Sequence, residues 1–101
     1  MIVQDPDDEF FDRADRHIHL SNEHLKATPP GKVSASMMYA TARFNAWVSA
    51  CGFRSGEEMR GARAETVDYF VTQFRKMLEE NLDDYIENFQ GYMQTGEKGH
   101  D

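Results

Sequence analysis

The chain has 101 residues, 18 acidic and 11 basic, for a formal charge of −7. That balance argues against nucleic acid and anionic membrane surfaces as partners, because both are bound mainly through Lys and Arg. The single cysteine, Cys51, excludes an intramolecular disulfide and a cysteine-based zinc site within one chain.

A chain of this length makes one domain, expected to span 1–101 with 1–5 and 94–101 frayed. The opening MIVQDPDDEF has neither a basic stretch nor an apolar run, so no signal peptide is expected. No segment approaches about 20 consecutive apolar residues, so none is expected to span a membrane. A cytoplasmic, bacterial-type protein is the default reading.

The first helix is expected to open at Asp5-Pro6. Asp5 can cap it, Pro6 suits its first position, and Asp7, Asp8 and Glu9 complement the dipole. Phe11, Ala14, Ile18, Asn22 and Leu25 form its core face, with Phe10 at the margin, while Leu20 faces outward. The cluster Thr28-Pro29-Pro30-Gly31 should lie outside any helix.

A second helix is expected from Ser34 to Cys51, with Gly52 placed at C′. One face carries Met37, Ala40, Phe44, Trp47, Val48 and Cys51. The opposite face carries Ala35, Ala42, Ala46 and Ser49, joined by Met38. A helix apolar nearly all round is normally central, so this one is expected between two neighbours, with Cys51 a buried, inert thiol.

Ser55 and Glu58 predict a capping box for a short helix over about Gly56 to Arg60, and Gly61 predicts a break. The longest pattern follows. Val67, Val71, Phe74, Leu78, Leu82, Tyr85 and Phe89 recur at spacings of three and four, predicting an amphipathic helix from about Arg63 to Met93. At 1.5 Å per residue it would be roughly 45 Å long, against about 30 and 27 Å for the other two.

Val67, Leu78 and Phe89 stand eleven residues apart. That spacing is close to the natural helical period, so the stripe runs almost straight. Phe70 and Met77 widen its first half on one side, and Ile86 and Met93 widen its second half on the other. The first half is expected to close the protein's own core. The second, through Leu78, Asn81, Leu82, Tyr85, Ile86, Phe89 and Met93, is expected to meet a second copy. Asn81 within the apolar arc would fix register or partner choice. Glu79, Glu80, Asp83, Asp84 and Glu87 form a solvated acidic arc, and Tyr69 also lies opposite the stripe.

The remaining candidates for chemistry are sparse. His17 and His19 point about 160° apart on a helix, and His17 and His24 are two turns apart, so no metal site is expected. Pro30-Gly31-Lys32 with Ser34 lacks the first glycine and the preceding strand of a phosphate loop. No cofactor and no catalytic residue are nominated, so a non-enzymatic role is expected. Arg43 lies on the narrow edge of the second helix beside Ser36 and Tyr39, where it would pair with a carboxylate, carry its charge to solvent, or line a small-anion site. That edge supplies the alternative to self-association, a module binding a small anion or a peptide through Ser36, Tyr39 and Arg43. Asn45 is a candidate for a hydrogen bond between helices.

KVSASMMYATARFNAW (Lys32 to Trp47) and YFVTQFRKMLEENLDDYIENF (Tyr69 to Phe89) resemble a family of small bacterial proteins classed as a domain of unknown function. The resemblance implies a compact helical protein and assigns no activity or functional residue. The expectation is therefore an all-α bundle of three main helices with a long C-terminal helix, completed by dimerisation. It would act through self-association or protein–protein interaction.

Overall fold

The structure is a computed structural model in which residues 7–94 are described. Five helices follow in chain order: α1 (Phe10–His24), α2 (Pro30–Ala50), α3 (Gly56–Gly61), α4 (Arg63–Glu87) and α5 (Phe89–Met93). Among the described residues there is no strand. Contacts divide the chain into two compact units, 1–37 with 88–101, and 38–87.

In the first unit, α1 begins later than the Asp-Pro signature predicts, and Asp5 and Pro6 lie outside the described residues. Asp7 organises the start. Its Oδ1 accepts the Glu9 N–H at 2.9 Å, its Oδ2 accepts from Arg13 at 2.9 Å, and its carbonyl accepts the Phe10 N–H at 3.1 Å. The Arg13 guanidinium and the Glu9 N–H hold the Asp7 carboxyl below its ordinary range.

Phe10, Ala14, Ile18, Asn22 and Leu25 are half-buried. Phe11 is exposed and meets Phe10 edge-on, with ring centroids 5.0 Å apart. The expected core face of α1 is thus right at Ala14, Ile18, Asn22 and Leu25, but Phe10 takes the place given to Phe11. Leu20 is exposed as expected. Ser21 Oγ donates to Met37 Sδ at 3.7 Å, tying α1 to α2. Val33, at 8% exposure, is buried in this unit.

α2 starts four residues earlier than expected, inside the proline cluster. Pro30 occupies the first helical position, where a missing N–H costs nothing. The Pro29 carbonyl accepts from the N–H groups of Lys32 and Val33 at 3.1 and 3.2 Å. At the other end Gly52 donates to the Ser49 carbonyl at 3.0 Å without entering the left-handed region.

The second unit contains the rest of α2, then α3 and α4. Ser55 caps α3 as expected, its Oγ accepting the Glu58 N–H at 3.1 Å. The returning half of the box shifts by one residue, because Glu58 Oε1 accepts from the Arg54 N–H at 2.7 Å. Ala62 separates α3 from α4, as the predicted break requires. The long helix is shorter than predicted. α4 ends at Glu87, and Asn88, with ψ of 27°, leads into the separate turn of α5. Position 94, expected to fray, caps α5 with its N–H on the Gln90 carbonyl at 3.0 Å; 1–5 and 95–101 fall outside the described residues.

The inward side of this unit differs from the expected one. Phe53, Met59, Ala62, Thr66, Phe70 and Met77 are half-buried, and Gln73 at 8% exposure is buried with them. These α4 residues lie to one side of the apolar stripe. Tyr69, expected outside, is half-buried against Phe70, with ring centroids 5.1 Å apart.

A candidate interaction surface

The apolar stripe of α4 faces outward. Val67, Val71, Phe74, Leu78 and Leu82 are 44–52% exposed, and Ile86 is 70% exposed. The expectation that the first half of the stripe closes the protein's own core is therefore corrected. Helical periodicity shows which residues of α4 are apolar, but its apolar arc is broad, and the chain's own packing uses the edge carrying Phe70 and Met77. The middle of the arc is left to solvent.

Of the seven residues assigned to an interface with a second copy, Leu78, Asn81, Leu82 and Ile86 are exposed on α4, and Tyr85 is half-buried. Phe89 and Met93 are exposed on α5. Asn81 Nδ2 donates to the Met77 carbonyl at 2.8 Å, four residues back on its own helix. The amide is satisfied locally, so it sits within an apolar surface at little cost. Glu79, Glu80, Asp83, Asp84 and Glu87 are exposed, as the solvated acidic arc requires.

α2 carries a second apolar exposure. Met38, Tyr39, Phe44, Trp47 and Val48 are exposed, with the Phe44 and Trp47 rings 5.7 Å apart. The expected enclosure of α2 between two neighbours is not found, and half-burial falls instead on Met37, Asn45 and Ser49. A helix apolar nearly all round demands more covering surface than a chain of this length supplies. Cys51, read as a buried thiol, is exposed for the same reason.

Ser36, Tyr39 and Arg43 are all exposed on α2. Among the described residues no carboxylate pairs with Arg43, and the ion pairs formed are Arg13–Asp7, Lys26–Glu23 and Arg54–Glu58. Arg43 carries its charge to solvent. His17, His19 and His24 are exposed on α1, and among the described residues no three His, Cys, Asp or Glu side chains gather as metal ligands. No helix is long and apolar enough, over the described residues, to cross a membrane.

Sequence reasoning missed Gln73. Its spacing from Thr66, Phe70 and Met77 was the available signal, since all four fall on one helical arc.

These features define a small all-helical protein that leaves a long apolar helix face to solvent. The chain belongs to the family described as protein of unknown function, DUF3144, whose model matches residues 10–86. It is similar to a protein from Shewanella sp. solved by NMR, with 39% identity and a TM-score of 0.73 over 90% of this chain and 97% of that one. No curated protein matches the chain.

Proposed function

We propose that this protein is a non-enzymatic helical module that acts by self-association, with the outward stripe of α4 as the contact between copies. The exposure of Val67, Val71, Phe74, Leu78, Leu82 and Ile86 along one helix is the observation that carries this reading. If each such side chain presents on the order of 150–200 Å² when free, the six together offer roughly 500 Å². Monomeric proteins rarely expose contiguous apolar patches beyond a few hundred Å².

A cytoplasmic setting fits this reading, because an exposed lone thiol at Cys51 persists best where disulfides are kept reduced. Sedimentation velocity at micromolar concentration tests the proposal. A dimer or a larger closed assembly is expected, and a species of 11.7 kDa at all concentrations would sink it. Leu82→Asp places a charge in the middle of the apolar contact, and is expected to abolish association or to unfold the chain along with it.

A further inference from the structure

We infer that two copies pair with their α4 helices antiparallel, centred on Leu78, and that Arg75 of each copy meets Glu79 of the other. The inference rests on the self-association reading and adds the orientation and the charges that set it.

The charges of α4 are unevenly placed. From Arg63 to Lys76 the helix carries Arg63, Arg75 and Lys76 against Glu65 and Asp68. From Met77 to Glu87 it carries Glu79, Glu80, Asp83, Asp84 and Glu87 with no basic residue. The macrodipole adds partial positive charge at the first end and partial negative charge at the second. A parallel pair would lay two wholly acidic halves side by side. An antiparallel pair sets each acidic half along the half that holds the basic groups.

The stripe supplies the register. On α4, Leu78 is the centre of a symmetric run, with Phe74 and Leu82 four residues and Val71 and Tyr85 seven residues to either side. With the two-fold axis at Leu78, Phe74 of one copy faces position 82 of the other, and Val71 faces position 85. From Val71 to Tyr85 every stripe residue then meets an apolar or aromatic residue, as an isologous contact requires. At 100° per residue, Arg75 and Glu79 border the stripe on the same side, about 60° and 100° from its middle. Both are exposed, and they form no ion pair with each other.

In an antiparallel pair like sides face each other. Arg75 of one copy then lies about two residues, roughly 3 Å along the axis, from Glu79 of the other. Symmetry repeats the pair. In a parallel pair the same border would face the side carrying Met77 and Asp84, which offers Glu79 a like charge.

A spin label at Arg63→Cys, in a Cys51→Ser background, reads the orientation by electron–electron dipolar distance. Fifteen residues from the axis on each side, the antiparallel pair gives roughly 45 Å. A parallel pair, with axes 8–10 Å apart, gives under about 20 Å. The long distance is expected. The short one overturns the orientation while leaving self-association intact, whereas no dipolar signal and a monomeric sedimentation profile overturn both.

Mixing Arg75→Glu protein with Glu79→Arg protein tests the charge pair. Each variant alone opposes like charges twice, and the mixed dimer restores two ion pairs, so the mixture should associate about tenfold more tightly than either variant. A mixture no tighter than its components overturns the Arg75–Glu79 contact.

Discussion

Gln73 sits where the inward side of α4 is most enclosed, yet it is the polar member of an arc otherwise made by Thr66, Phe70 and Met77. Among the described residues no side-chain nitrogen or oxygen is fully buried without a partner, so its amide keeps a path to water. The chain therefore bears a partial desolvation cost for an amide where an apolar group would fit. Gln73→Met has nearly the same length and helix propensity. It is expected to stabilise the protein by about 0.5–1 kcal/mol, raising the melting temperature by a few degrees. A lowered melting temperature would mean that the amide makes a bond worth more than its burial costs.

Asn81 shows the opposite economy. It occupies an apolar arc, but the 2.8 Å bond to the Met77 carbonyl satisfies it within the helix. Its place in the arc was legible from spacing alone. Its partner was not, because an amide on a helix reaches back to the preceding turn or across to a neighbour with equal ease.

At the scale of elements, local signals were read well and tertiary ones poorly. The cap at Ser55, the break near Gly61 and the start of α4 at Arg63 each depend on chemistry within four residues, and each was visible in the sequence. The start of α2 was not, because Pro30 breaks a helix in its interior and begins one at its first position, and only the structure distinguishes the two. The arc of α4 that packs inward was also hidden, since Phe70 and Met77 extend the same apolar pattern as the exposed stripe. Candidate-site legibility follows the same division. The composition of the stripe was apparent, and the outward orientation of Val67, Val71 and Phe74 was not.

α3 offers a measurement at this scale. It has six residues, too few to persist without a cap and tertiary support. Ser55 Oγ supplies the Glu58 N–H with its acceptor, and Glu58 in turn holds Arg54. Ser55→Ala removes the first bond and is expected to cost about 1 kcal/mol. It should raise amide exchange over 56–61 while leaving the middle of α4 protected. Unchanged exchange there would show that packing, rather than the cap, holds α3.

For the whole molecule, the sparse burial decides what kind of stability to expect. Val33 and Gln73 are the buried residues among those described, and most of the larger apolar side chains of α2 and α4 stand open. A chain of 101 residues loses on the order of 100–200 kcal/mol of conformational free energy on folding, which only extensive apolar burial offsets. If the α4 contact between copies supplies much of that burial, folding and association are one equilibrium. The melting temperature must then depend on protein concentration. With an unfolding enthalpy of about 0.7 kcal/mol per residue, a two-chain transition should lose roughly 3–4 °C for each tenfold dilution. Calorimetry from about 100 μM down to 1 μM tests this. A melting temperature that stays constant while sedimentation shows dissociation would mean that each copy is stable alone and that the stripe serves assembly without serving the fold. In that case Leu82→Asp should yield a folded monomer with its helical circular dichroism intact. Under the coupled equilibrium the same substitution should remove the helical signal together with the dimer.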